Sequence, residues 1–426
     1  MSQHECKGCS EYSELSRRRF VGLATGVAAS AVIPQWLPRV ALADSYVGGR
    51  DVLVSIFLRG GVDALTICVP FLEDNYYKLR PTLSVPPPDS GKKNKATALD
   101  NQFGFPPAMR PLTEVFESKD LLIVHACGMK HGNRSHFDAM KFMEVGREDP
   151  RASEFSGWLG RHLAQTAPTT ANAVLRAVGI GGGVPVTLLG GPKVLPIWDL
   201  ASYGFGWDDP LNDYYLPMYE AAGDALRTPA KNTVQTIELL DAIDFEGYQP
   251  ASGAAYPSDF FGESLKSTAA LIKAEVGVEA VSIDLGDWDM HEKQGPFDGW
   301  MAWRMTELAE GLAAFHEDLA AGKGQAVTTL VMSEFGRKTH ENGSAGTDHG
   351  AGGLMMAMGS AIKGGRVLTK WPGLERENMF EEQDLQVTID YRDIITEIIG
   401  KRLGNTDYRG LFPDPGYNPI EYGVAK

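Results

Sequence analysis

The stretch "VLVSIFLRGGVDAL", residues 52–65, decides how the rest of the chain is read. Its first seven residues form an apolar run broken only by Ser55, without the 3.6-residue period of a surface helix. Valine, isoleucine and phenylalanine favour extended backbone, and a run with no polar alternation fits a strand buried on both faces. The Arg59-Gly60-Gly61 turn then leads to a polar group, Asp63. The same grammar returns in "LLIVHAC" (121–127), "AVLRAVGI" (173–180), "EAVSIDL" (279–285), "AVTTLVM" (326–332) and "LMMAMG" (354–359). Between these runs lie helical patterns such as "AMRPLTEVFES", "SHFDAMKFMEVG", "WMAWRMTELAEGLAAFHEDLAAG" and "YRDIITEIIGKRLG". Such alternation predicts an α/β fold, an αβα sandwich around a mainly parallel central sheet. Residues 85–100, "VPPPDSGKKNKATALD", read as a surface loop, and residues 190–262, rich in Trp, Tyr, Pro and Gly, as an insertion or cap over the sheet's edge.

With 426 residues, 43% hydrophobic and 22% charged, the chain can bury a large core and is too apolar for disorder. Its formal net charge of −15 makes nucleic acid and anionic membrane poor partners. The N-terminal "SRRRFVGLATGVAASAVI" joins Arg17 and Arg18 to a weakly apolar run, and Ala41–Ala43 offer small residues for cleavage. This resembles a twin-arginine signal peptide over residues 1–43, ahead of a domain over residues 44–426. The resemblance implies a periplasmic or secreted protein that meets the twin-arginine translocase during export. The run from Val21 to Ile33 is too short to cross a bilayer, so no stable membrane span is expected. Cys6 and Cys9 precede that run, and Cys68 and Cys127 sit in apolar surroundings, which argues against a disulfide framework.

Four polar motifs follow predicted strands: "RGGVDAL" the first, "HGNRSHFD" the second, "GDWDMH" the fourth and "SEFGR" the fifth. Ligands of open α/β sheets bind beyond the carboxyl ends of the strands, so these motifs should converge on one rim. "GTDHG", 346–350, comes just before the sixth strand, on a loop returning from that rim or from the opposite edge. Asp63, Asp289, His291, Glu334, Asp348 and His349 are carboxylates and imidazoles with no thiolate, a donor set suited to a catalytic metal more than to structural zinc. Asp289 and His291 are two apart and share a face of an extended segment. Two divalent ions, Zn, Mn, Mg or Ca, bridged by such a set would activate a nucleophile and neutralise an anionic leaving group. Each motif also has a plain reading: Asp63 as a turn former, Ser135 as a helix N-cap, Glu334 and Arg337 as a rim ion pair, and the histidines as satisfied loop residues.

"LRGGVDAL", "RSHFDAM", "GDWDMH", "SEFGRKTHENGSAGTDHG" and "TIDYRDII", behind the twin-arginine segment, resemble the exported bacterial proteins of the domain-of-unknown-function-1501 family. That resemblance runs from about residue 50 to 413 and implies an alkaline-phosphatase-like or sulfatase-like fold. It implies metal ligands at Asp63, Asp289, His291, Glu334 and His349, and a metal-activated nucleophile at Ser135. "HACGMKHG" around Cys127 lacks the pattern of an aldehyde-forming sulfatase, and "GNRSH" is not the glycine-flanked elbow of a serine hydrolase. The expected function is hydrolysis of an anionic phosphate or sulfate ester, small-molecule or polymeric, with Arg59, Arg134 and Arg337 clamping the anion. The alternative is a non-catalytic envelope protein that keeps the fold for binding or assembly.

Overall fold

Each of the six apolar runs forms a strand in the computed structural model, which describes residues 50–130, 132–148, 156–170, 173–203, 217–219, 221, 223–320 and 326–426. The signal-like segment 1–43, with Arg17, Arg18, Cys6 and Cys9, lies outside the described residues, as do residues 204–216 of the aromatic stretch. In chain order the sheet strands are β1 (Val52–Leu58), β2 (Leu121–Gly128), β3 (Ala177–Ile180), β4 (Val194–Ile197), β5 (Ala280–Leu285), β6 (Val327–Ser333), β7 (Gly353–Met358), β8 (Arg366–Leu368) and β9 (Ile389–Asp390). They run across the sheet as β8-β2-β7-β6-β1-β5-β3-β4, with β9 also pairing β2. All pairings are parallel except those of β7, which is antiparallel to β2 and β6.

All seven residues of β1 are buried, and their alternation divides the core. Val52, Val54, Ile56 and Leu58 face a cluster with Phe261, Leu265, Met305 and Leu312. Leu53 and Phe57 face a second cluster with Trp158, Ile394 and Ile398. Helices α4 (Phe260–Lys273) and α5 (Trp300–Ala320) therefore cover one face. Helices α1 (His136–Val145), α2 (Trp158–Gln165) and α6 (Tyr391–Arg402) cover the other, α1 through Met140 and Met143; α3 spans Asp224–Asp241. Burial of each large apolar side chain contributes about 1.5–3 kcal/mol, so the strand covered on both sides is the hardest to perturb.

Two expectations are modified. "AMRPLTEVFES" forms a 3-10 turn, Pro107–Leu112, followed by a short helix, Thr113–Glu117, rather than one helix. Pro111 removes an amide donor inside that run. The described part of residues 190–262 is built into the main body: β4 closes one edge of the sheet, and Leu239, Leu240 and Phe245 join the cluster of α4 and α5.

The direction of β7 positions the site. The carboxyl ends of β1, β2, β5 and β6 lie at one end of the sheet, and an antiparallel β7 begins at that same end. "GTDHG" thus reaches the common rim from before its strand, while the other motifs reach it from behind theirs.

Candidate metal centre

Beyond β5 the chain alternates sides: Trp288 is buried, Asp287 is exposed at a φ of 64°, and Asp289 and His291 turn to the rim. Beyond β6, Glu334 and Arg337 are buried. Beyond β2, Ser135 is the N-cap of α1 and His136 its first residue. Asp348 and His349 enter from the loop before β7.

Three imidazoles meet one carboxylate here. Nε2 of His136 lies 2.9 Å from Nε2 of His349 and 3.5 Å from Oδ2 of Asp289. Nε2 of His291 lies 3.0 Å from Nε2 of His349 and 2.9 Å from Oδ1 of Asp289. His136, Asp289 and His349 present ligand atoms within 4.8 Å of one another. The far nitrogen of every ring faces a group that can only accept. Nδ1 of His136 donates to Glu334 Oε1 at 2.7 Å, Nδ1 of His349 to the Arg134 carbonyl at 2.9 Å, and Nδ1 of His291 to Asp348 Oδ1 at 3.1 Å. Those partners fix the tautomers, so in the neutral rings all three Nε2 lone pairs point inward. Two such nitrogens at 2.9 Å repel unless a proton or a cation lies between them.

The electrostatics agree with that demand. Burial opposes protonation of His136, yet hydrogen bonds to Asp289 and Glu334 push its pKa up to about 9. Burial, helped by the charges of Arg337 and His136, lowers that of His349. The hydrogen bond to Asp289 raises that of His291. For Asp289, burial is outweighed by hydrogen bonds from three imidazoles and by the Arg337 charge, which hold the carboxyl far below the usual range. Burial of Glu334 is likewise outweighed by His136, so this carboxyl is also depressed.

The residues fit a divalent ion. Two imidazole nitrogens and a carboxylate oxygen, from His136, His349 and Asp289, suit zinc or another borderline ion, and His291 lies beside His349 and Asp289 at the edge of this set. Bonds of about 2.0–2.1 Å in a tetrahedral shell would separate two nitrogens by roughly 3.3 Å, so His136 and His349, at 2.9 Å, would part by only a few tenths of an ångström. Phe335 walls the site, its ring 4.8 Å from that of His136 and 5.0 Å from that of His349.

The glycines around His349 serve close approach. A Cβ at Gly346 would lie 2.2 Å from the His291 carbonyl carbon, and one at Gly350 would lie 2.4 Å from that of Arg337. The loop therefore lies flat against both neighbouring motifs.

The other sequence-predicted residues are placed differently. Glu334 and Asp348 orient His136 and His291 from behind rather than facing the centre. Asp63 is not in the cluster: its Oδ2 accepts 2.6 Å hydrogen bonds from Arg80, Thr66 and Gln294. Burial of Asp63 is outweighed mainly by Arg80, which lowers its pKa. A set bridging two ions is consequently not assembled around Asp63. The arginines are committed too. Arg59 pairs with Glu144 and Asp284. The guanidinium of Arg134 pairs with Asp384 and Glu381. Buried Arg337 binds Asp289 at 2.6 Å and the carbonyls of Gly60, Gly61, Trp288 and Thr347, clamping the motifs together. Asp287 pairs with Arg304.

Ser135 is exposed and its side chain makes no capping hydrogen bond. It stands between two residues that touch the cluster, Arg134 through its carbonyl and His136 through its ring. His136 is the residue the sequence reading missed. It lies inside the quoted "RSHFDAM", at the start of a helix on the rim, where the preceding serine drew the attention.

No curated protein and no solved structure matches the chain. A family model matches residues 211–411, which contain Asp289, His291, Glu334, Arg337, Asp348 and His349. Over those residues the chain belongs to the family described as "Protein of unknown function (DUF1501)".

Proposed function

We propose that this chain is an exported metal-dependent hydrolase of phosphate or sulfate esters, with one divalent ion held by His136, Asp289 and His349 and with His291 beside them. The observation that carries the reading is the convergence of His136 Nε2, His349 Nε2 and the Asp289 carboxylate within 4.8 Å, both rings fixed from behind. An alkaline-phosphatase-like relationship is supported by the mainly parallel sheet, covered on both faces, with its polar motifs at the carboxyl ends of the strands.

The ion, when bound, would supply Lewis-acid stabilisation of the ester's non-bridging oxygens and lower the pKa of a nearby hydroxyl. Ser135 Oγ attacks phosphorus or sulfur, forming an O–P or O–S bond as the ester's alcohol leaves with a proton; water then hydrolyses the enzyme ester and restores the serine. Arg59, Arg134 and Arg337 are occupied, so balancing charge comes from the uncapped N-terminus of α1. His136, Asp289 and His349 would hold the ion, and Phe335 excludes water from behind.

A second reading, a non-catalytic envelope protein, is favoured by that same occupation of all three arginines. The deciding experiment assays aryl phosphates and sulfates with added Zn, Mn, Mg or Ca, on wild type and Ser135→Ala. Turnover by wild type and its loss in the variant support the hydrolase; equal turnover removes Ser135 as nucleophile, and bound metal without turnover on any ester supports the second reading.

A further inference from the structure

Beyond the metal centre, one surface cleft has a composition of its own. It encloses about 390 Å³ and is lined by Asp298, Gly299, Trp300 and Trp303 at the start of α5. Trp300 is 60% and Trp303 47% exposed, so about half of each residue's surface lies in solvent at a loss of hydrophobic free energy. Their ring centroids are 5.2 Å apart at 70°, forming an open corner. Neither indole N–H has a partner among the described residues, so each is free to donate.

The surroundings narrow the ligand. Arg304 covers one face of Trp303, its Cζ 4.3 Å from the centroid, so its positive charge disfavours a second cation in the corner while the Trp300 ring remains for stacking. An anion is disfavoured by Asp298 and by a chain of net charge −15. What remains is a neutral ring with an apolar C–H face for the indole and hydroxyls for Asp298 and the indole N–H groups. A hexopyranose with mostly equatorial hydroxyls has that character.

The cleft is also tied to the metal centre. Arg304 joins Trp303 to Asp287, two residues before Asp289. The turn leading into α5 starts at Gln294, whose Oε1 accepts from Thr347 at 2.8 Å, two residues before His349. We propose that the Trp300–Trp303 corner binds a saccharide ring, and that the ester cleaved at the metal centre is one carried by a saccharide. The second clause rests on the hydrolase reading; the first does not.

The test titrates the full chain with β-linked gluco-oligosaccharides, chitin oligomers and unsulfated galactan oligomers, following tryptophan fluorescence and heat of binding. Expected is saturable binding, weakened roughly tenfold or more in Trp300→Ala and in Trp303→Ala, with bound metal unchanged. His349→Ala should lose metal and keep saccharide binding, so failure of the metal reading leaves this result standing. No binding by any of the three classes, equal binding by both tryptophan variants, or binding of choline instead would overturn the proposal. A drop in oligomer mass in Trp303→Ala without any saccharide binding would assign the corner to self-association and overturn it equally.

Discussion

At the scale of single residues, ligand and support should separate experimentally. His136→Ala and His349→Ala are each expected to abolish stoichiometric metal in protein purified without chelator, measured by elemental analysis. Glu334→Gln keeps a side chain of the same shape but weakens the acceptor behind His136, so metal affinity should fall by about 10–100-fold with the fold intact. Asp63→Ala should do the reverse. It leaves Arg80, fully buried, without its carboxylate, and should lower stability by about 3–5 kcal/mol in denaturant unfolding while metal content holds. Retained metal in both histidine variants, or metal loss confined to Asp63→Ala, would return the cluster to ordinary rim chemistry. The residue chemistry of the site was legible in part. Asp289 and His291 alternate around buried Met290, which an extended segment makes visible in sequence, whereas the diversion of Asp63 depends on Arg80 and Gln294, far apart in the chain and joined only by folding.

Among the elements, α1 and β2 carry the next two expectations. Ser135 makes no side-chain cap bond, so Ser135→Ala should change stability by far less than the roughly 1 kcal/mol usual for a lost cap, while reducing turnover by several orders of magnitude. A clear loss of stability without loss of turnover would make it a helix residue only. In β2, His125 donates from Nε2 to the Cys68 carbonyl at 3.0 Å and accepts the Ala126 amide on Nδ1 at 2.8 Å. Both nitrogens are satisfied only in the neutral ring, and burial lowers its pKa to about 4. Burial, aided by Arg50 and Arg176, lowers that of His162 in α2 to about 3. Both values lie below the unfolded histidine's 6.5, so the unfolded chain binds more protons in between. Stability should be complete above about pH 6.5 and fall as pH drops toward 4, each ring adding up to about 1.4 kcal/mol per pH unit. His125→Gln should flatten that slope in denaturant titrations at pH 7, 5.5 and 4.5. The long strands and helices were legible because apolar runs and periodic faces are local. Strands β4, β8 and β9 were not, being short edge pieces of two to four residues whose pairing is decided by their neighbours.

For the whole molecule, export is the property to test outside the folded body. No helix among the described residues is long and apolar enough to cross a membrane. Replacing Arg17 and Arg18 by lysine should hold the precursor in the cytoplasm, and normal periplasmic or extracellular yield of that double variant would remove the twin-arginine reading. Arg337 unites the body at the other extreme. It binds four backbone carbonyls and Asp289, and Arg337→Ala should both destabilise the chain by about 3–5 kcal/mol and release the metal. The reversed course of β7 has one more consequence. It pairs His349 with His136 across 213 positions of sequence, so neither half of the chain contains the assembled donors. In a chain that lacks β7, His349 is missing and β2, with His136 beyond it, has no strand joining it to the rest of the sheet, which leaves Asp289 and His291 as a weak chelate. Tight capture of an ion would then report that the last central strand has been threaded between its neighbours, and the metal would double as a checkpoint on finished assembly.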